Sequence, residues 1–407
     1  MWRFVFVFLC SVLALPAHDW PQLLGPDRNG RSAETNLNWN WGKEGPRIVW
    51  RKTVGQGWSA PVVSSNRVIS FHRQNDREAV ECVDAMSGAP LWKAEYKTDY
   101  RDDFGFDEGP RATPAISGIR VFTFGANGVL SAWNLTNGAR LWQINTRKEF
   151  GNDKGFFGIA CSPLVEGNAV ILNIGGRNDA GIVAFNAANG AVLWKTTDEE
   201  AGYSSPVAAT FAGKRRLLVL TRGNLVALEP GSGKVMWKFP FRPAINASVT
   251  AATPLVIGDS IFISASYGAG AAMLRFGEMK PEVLWQGDDV LSNHYATSVA
   301  HGGLLFGFDG RQEQKCNLRC VDAKTGKIRW SEDRFGAGTL LGVGDRLLIL
   351  TERGELIAAN ATTEKFQPTA RAQVLGVECR ANVALANGLF YARDKNALIC
   401  VDLRQHK

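Results

Sequence analysis

One phrase recurs along the chain. A short strand, an Asx or small residue, a Gly turn and a Trp four residues after the Gly appear as VDAMSGAPLW to Trp92, WNLTNGARLW to Trp142, FNAANGAVLW to Trp194, LEPGSGKVMW to Trp237 and VDAKTGKIRW to Trp330. PEVLW ending at Trp285 lacks the Gly, and GPRIVW ending at Trp50 keeps only the tail. By subtraction, successive Trp positions lie 42, 50, 52, 43, 48 and 45 residues apart. A repeat of this length means a propeller or a solenoid.

Ahead of each phrase comes a two-strand pattern, opened by a small polar residue and usually a Pro. Its eight starts are marked by Pro61, Pro114, Pro163, Pro206, Pro254, Ser298, Leu340 and Asn382. Each unit thus supplies about four short strands joined by turns, one propeller blade. Sustained 3.6-residue periodicity is missing beyond the N-terminus, which argues against helical repeats. The last unit stops at ICVDLRQHK without an outer strand, and RIVWRK, residues 47–52, precedes the first unit without inner ones. Joining the two closes the ring and removes its free edges. The expected fold is all-β: an eight-bladed β-propeller over residues 47–407, closed by the N-terminal strand, behind an arm over 18–46.

Such a ring stacks many small interfaces in place of one large core. The repeat Trp residues 50, 92, 142, 194, 237, 285 and 330 suit that task, because an indole buries a large apolar area while its N–H still reaches an acceptor. Their expected role is structural docking. The Asx side chain can bond backbone two residues on, and the Gly provides positive φ.

The opening MWRFVFVFLCSVLALPA has one Arg and a short apolar run ending in small residues. It reads as a signal peptide, residues 1–17, cleaved after Ala14 or Ala17, because the run is too short to span a bilayer. Cys10 lies behind Phe8 and Leu9, unlike a lipid-anchored Cys, so the expectation is an exported, soluble, periplasmic or extracellular monomer with no transmembrane segment in the mature chain. Cys82, Cys320 and Cys400 fill a slot that holds Ala132, Ala184, Ala227 and Ala358 in other blades, as expected of a position accepting only Cys or Ala. Cys316 and Cys320, placed on one face of a strand, are too far apart for a disulfide. Cys161 and Cys379 stand at inner-strand starts with no role assigned. Net charge is +7 from 46 basic and 39 acidic residues, scattered apart from KRR at 214–216 in an expected turn. No nucleic-acid site is expected from so dispersed a charge.

The docking phrase AxDxxxGxxxW resembles the repeat of pyrroloquinoline quinone (PQQ) type propellers. WPQLLGPDRNGRS at 20–32, GPRATP at 109–114, FFGIACSPLV at 156–165, AGYSSPVAAT at 201–210 and ELIAAN at 355–360 are similar to an exported bacterial group related to the outer-membrane assembly factor BamB. The resemblance implies a quinoprotein-like propeller acting as a non-catalytic binding or scaffold protein of the cell envelope, with protein partners. The alternatives are a PQQ- or other cofactor-dependent oxidoreductase, or a propeller binding a glycan or other polymer. Quinoprotein dehydrogenases, as the family implies, use a disulfide between adjacent cysteines, a Ca²⁺ site of Glu, Asn and Asp, and an Asp base. This sequence has no Cys-Cys pair and no matching Ca²⁺ motif. No cofactor, PQQ included, no metal site and no catalytic residue is therefore assigned.

Propellers place sites where loops converge on the axis. Trp58, Ser59, Arg111, Thr113, Cys161, Tyr203, Ser204, Thr250, Thr253, His294, Tyr295, Cys379 and Arg380 stand at inner-strand starts and should ring one channel mouth. Arg111, Tyr203, His294, Tyr295 and Arg380 are the candidate binding residues; the rival reading is that the ring caps strands and holds channel water. The loop DYRDDFGFDEGPR, 99–111, either presents Tyr100, Phe104 and Phe106 to a partner, with Asp102, Asp103 and Asp107 setting polarity, or folds back over the junction of the first two blades.

Overall fold

Residues 19–246 and 248–405 are described by a computed structural model, so the expected signal peptide, 1–17, lies outside the described residues. Eight antiparallel sheets follow one another around a ring, each a meander running outward from the axis. Blade 1 uses Val62–Ser64, Arg67–Gln74, Arg77–Asp84 and Pro90–Lys97. Blade 8 takes Ala384–Ala386, Leu389–Arg393 and Ala397–Asp402 from the end of the chain and its outer strand, Ile48–Thr53, from the start. Trp50 pairs with Cys400 and Thr53 with Ala397, so closure joins the two ends as the pattern required. The described helix is confined to Thr146–Phe150 and a short 3₁₀ turn at Gln312–Gln314.

Middle strands are buried on both faces because each blade is sandwiched between two others; all six interior positions of Arg67–Gln74 are buried, Ser70, His72 and Arg73 among them. The apolar clusters lie between consecutive blades, as Phe122, Leu130, Val170 and Phe185 do between blades 2 and 3, and Leu218, Leu225, Ile261 and Leu274 between blades 4 and 5. Stability is therefore a chain of interface terms.

One extra residue sits just before the docking position in every outer strand: Leu91, Leu141, Leu193, Met236, Leu284, Arg329, Val49 and, in blade 7, Thr369. Such a bulge breaks the strict alternation of faces and re-aims the next side chain. Here it points Trp at the following blade, where the indole N–H donates to a turn carbonyl. Trp50 bonds Ala85 at 3.0 Å, Trp92 bonds Leu135 at 2.9 Å and Trp330 bonds Thr362 at 2.8 Å. Trp142, Trp194, Trp237 and Trp285 do the same with Ala187, Pro230, Gly277 and Ala323. Across the sheet each Trp faces the small slot. The eighth slot is Met273, opposite Trp285, so the expectation that only Cys or Ala is accepted fails: an unbranched thioether also fits beneath the ring.

Blade 7 has Ala370 where the eighth Trp would stand. The arm makes up the difference. The equivalent turn carbonyl, on Leu403, accepts from the backbone N–H of Asn38 at 2.7 Å, and Leu37 and Trp41 join the apolar cluster that Ala370 and Ala372 pack against. The arm also crosses the channel end opposite the mouth. Trp20 exchanges backbone bonds with Val63, Pro21 accepts from Ile116, and Arg31–Ser32 adds a parallel strand to Gly342 and Val343 in blade 7. Arg28 reaches from the arm into the channel, where it is fully buried and donates to the strand-start carbonyls of Pro206, at 2.7 Å, and Pro163; burial lowers its guanidinium to about 10, still charged at neutral pH.

Two smaller expectations are corrected. Lys214–Arg216 open a strand, Lys214–Leu220, in place of a turn, with Arg215 on Glu166 and Arg216 on Glu278. Cys316 precedes the strand Asn317–Asp322 that holds Cys320, so the two share no strand face.

Candidate functional site

Strand direction decides what reaches the mouth. In a four-strand meander whose first strand starts at one end of the channel, the loops before strand 1 and between strands 2 and 3 open at that same end. These loops surround a cavity of about 270 Å³, with the arm residue Leu23 also in its lining. All five candidates, Arg111, Tyr203, His294, Tyr295 and Arg380, line it, together with Trp58, Thr113 and Thr253. Ser59, Cys161, Ser204, Thr250 and Cys379 are buried at the same level but do not line it.

Each candidate is held by a second group. Arg111 donates from Nη2 to Asp102, at 2.7 Å, and to the Asp107 carbonyl, at 3.1 Å. The Asp107 carboxylate in turn accepts from the N–H groups of Gly57 and Gly109. Those glycines are demanded by close backbone approach: a Cβ on Gly109 would lie 2.1 Å from the Gln56 carbonyl oxygen. Trp58 meets two cations, with the Arg111 and Arg380 guanidinium carbons 4.7 and 4.8 Å from its ring centroid. Arg380 Nε and the Tyr295 hydroxyl both donate to Glu352 Oε1, each at 2.8 Å. The Tyr203 hydroxyl accepts from the N–H groups of Phe156 and Phe157. His294 pairs through Nε2 with the Tyr267 hydroxyl, at 3.0 Å, and through Nδ1 with Gln312.

Titration at the mouth follows burial. Desolvation lowers His294 and keeps it neutral, and raises the Tyr203 phenol. Burial, with the Glu352 carboxylate alongside, drives Tyr295 far above the ordinary phenol range. Among the described residues burial likewise pushes each of the six thiols, Cys161 and Cys379 included, up to about 12.

Hydroxyls at the strand starts serve the ring itself. Thr113 Oγ1 accepts from Ala60 N–H of the preceding blade, Ser162 from Thr113, Ser205 from Ser162, and Thr297 from Thr253. The small polar residue before the Pro is thus an inter-blade clasp, which satisfies backbone N–H groups that no inner neighbour strand can reach.

Within the 99–111 loop one aromatic folds inward and two stay at the surface. Tyr100 folds inward to 2% exposure, while Phe104 and Phe106 stay 55% and 59% exposed. Phe104 stacks on Phe106 and packs tilted against Phe156 and Phe157, and Phe106 packs tilted against Phe157, ring centroids 5.2–6.2 Å apart. Asp102 is spent inside the loop on Arg111, Asp107 ties the loop to Gly57, and Asp103 pairs with Lys154. Tyr267, Gln312 and Phe157 also line the cavity and escaped sequence reading. Tyr267 and Gln312 lie between strands 2 and 3, and strand parity was the available signal.

Among the described residues the six cysteines are free and buried, and no group of three His, Cys, Asp or Glu side chains is placed to hold a metal ion.

The family model for outer membrane protein assembly factor BamB matches residues 76–332 and 314–405. The BamB of Shewanella oneidensis is 23% identical over 318 residues, covering 72% of this chain and 73% of that protein. Among solved structures, BamB from Moraxella catarrhalis aligns with a TM-score of 0.65 at 15% identity, over 89% of this chain and 98% of that one. The quinohemoprotein alcohol dehydrogenase of Comamonas testosteroni aligns with a TM-score of 0.69 at 14% identity, over 96% and 81%. Both structural likenesses are likenesses of fold.

Proposed function

Because the chain belongs to the outer membrane protein assembly factor BamB family, we propose that it is an exported, non-catalytic binding propeller of the cell envelope that holds a protein partner at its channel mouth. One observation carries this reading. Five side chains from four separate blades line a single cavity, and each is already immobilised by another protein group. A surface ordered before it binds loses little side-chain entropy on association. Arg, Tyr and Trp, the residues gathered here, are the commonest interface hot spots, and the exposed Phe104 and Phe106 extend the surface outward. Against catalysis stand a His294 engaged through both ring nitrogens, phenols shifted upward and thiols near 12. None of these phenols and thiols is an activated nucleophile near neutral pH.

The test is affinity capture of the mature protein from its native envelope. Wild type should recover outer-membrane assembly proteins. Arg111→Ala and Tyr295→Ala should each weaken that capture roughly thirtyfold, the effect of an interface hot spot worth about 2 kcal/mol, with melting lowered by only a few degrees. Normal capture by both variants, alongside loss on changing Phe104 and Phe106, would move the partner surface from the cavity to the rim.

A further inference from the structure

We propose that the mouth cavity recognises a carboxylate carried on an apolar body, with Arg111 and Trp58 as its principal donors; this rests on reading the mouth as the binding site. Hydrogen-bonding capacity at the mouth is unbalanced toward donors. Among the lining residues, the buried side-chain atoms left without a partner are Nε and Nη1 of Arg111 and Nε1 of Trp58. All three are donors, and the Arg111 side chain is only 9% exposed.

Of the acceptors around these donors, Asp102 and Glu352 are engaged, whereas the buried Tyr100 hydroxyl beside Arg111 has no partner and Glu313 adds a carboxylate to the lining. Asp102 holds Arg111 Nη2, and Glu352 Oε1 takes both Arg380 and Tyr295. Buried N–H groups without acceptors are rare in folded proteins and call for an occupant. The occupant must bring oxygen acceptors to one guanidinium and one indole. An anionic oxygen pair does this better than a neutral carbonyl, because a hydrogen bond to a charged group is about twice as strong.

The remaining walls set the rest of the ligand. Phe106, Phe157, Tyr203 and Tyr295 line the same space, and the Arg111 guanidinium lies 5.8 Å from the Phe157 ring centroid. A volume of about 270 Å³ is at the lower end of small-ligand pockets, roughly 300–1,000 Å³. It suits a one-ring acid or the last residue of a chain, and not a folded surface. Both sources present the same group.

The experiment uses the whole mature protein and two acid–amide pairs, followed by calorimetry and by Trp fluorescence. The first pair is 3-phenylpropanoate and 3-phenylpropanamide; the second is a hexapeptide ending in Phe with a free or an amidated carboxyl. In at least one pair the acid should bind roughly tenfold or more tightly than its amide, the loss expected when a charged hydrogen-bond acceptor is removed. Preference in the first pair alone identifies a free small acid, and preference in the second alone a chain terminus. Arg111→Gln should abolish the preference. Because that change frees Asp102, the double variant Arg111→Gln, Asp102→Asn should do the same in a protein that keeps its fold. Trp58→Phe retains the ring but removes the N–H, and should reduce the preference severalfold. Equal binding of acid and amide in both pairs, no binding of any probe at millimolar concentration, or an undiminished preference in the double variant would overturn the proposal. If no probe binds while envelope capture still depends on Arg111, carboxylate recognition fails and the partner-binding reading stands.

Discussion

The turn glycine of the repeated phrase has two jobs, and a pair of substitutions in one blade separates them. Gly138 has φ +72°, and a Cβ built there would lie 2.5 Å from Cε3 of Trp92, the docking indole of the preceding blade. Gly118 has φ +55°, and a Cβ there meets nothing within 4 Å. Alanine at either position bears the left-handed backbone cost, about 1–2 kcal/mol. Only Gly138→Ala must also displace the indole. Overpacking adds about 1–3 kcal/mol, and the Trp92 hydrogen bond to the Leu135 carbonyl, 2.9 Å long, adds about 1 kcal/mol if broken. Gly118→Ala should therefore cost about 1–2 kcal/mol and Gly138→Ala about 3–6 kcal/mol. Urea denaturation followed by Trp fluorescence reads the difference as a shift in midpoint at constant slope. Trp92→Phe should recover part of the loss in the Gly138→Ala background and weaken the wild type, a coupling a double-mutant cycle measures. Equal losses at Gly118 and Gly138 would show that the turn needs only positive φ and that the indole does not rest on it.

Three further outcomes are expected. Deleting residues 18–40 should lower the melting temperature substantially, because it removes buried Trp20, Leu23 and Leu37 and the cap on Leu403; Ala370→Trp should restore part of the loss only in the deleted chain, and a gain in both backgrounds would refute the substitution of arm for Trp. The six buried thiols, near 12 when folded, should resist alkylation at pH 8 and all react once the protein is unfolded. Unfolded thiols ionise from about pH 8.5, so their stabilising contribution is complete below that pH and is lost as pH rises toward 12, which urea titrations from pH 8 to 11 would register as falling stability. Finally, the protein supplied with alcohol, Ca²⁺ and PQQ should reduce an artificial electron acceptor no faster than free quinone; a faster rate would return the chain to the oxidoreductases.

Much of this molecule was legible before folding because its design is repetitive. The Trp spacing, the eight strand starts and the orphaned outer strand at 47–52 specified an eight-bladed ring and its closure. A period survives in one dimension because every blade repeats the same local geometry. The candidates Arg111, Tyr203, His294, Tyr295 and Arg380 were found the same way, each at an equivalent strand start. What has no period stayed hidden. Met273 fills a slot that pattern alone assigned to Cys or Ala, because the space under an indole depends on the whole neighbourhood. Tyr267 and Gln312 reach the mouth from loops whose lengths vary between blades. Nothing in residues 19–46 announces that they seal one end of the channel and take the place of a missing eighth Trp, because their partners lie up to hundreds of residues away in the chain and become neighbours only when the ring closes. The electrostatics of the mouth belong to the same class. The neutral His294 and the unpartnered N–H groups of Arg111 and Trp58 arise from burial among four blades, a property that no single segment carries.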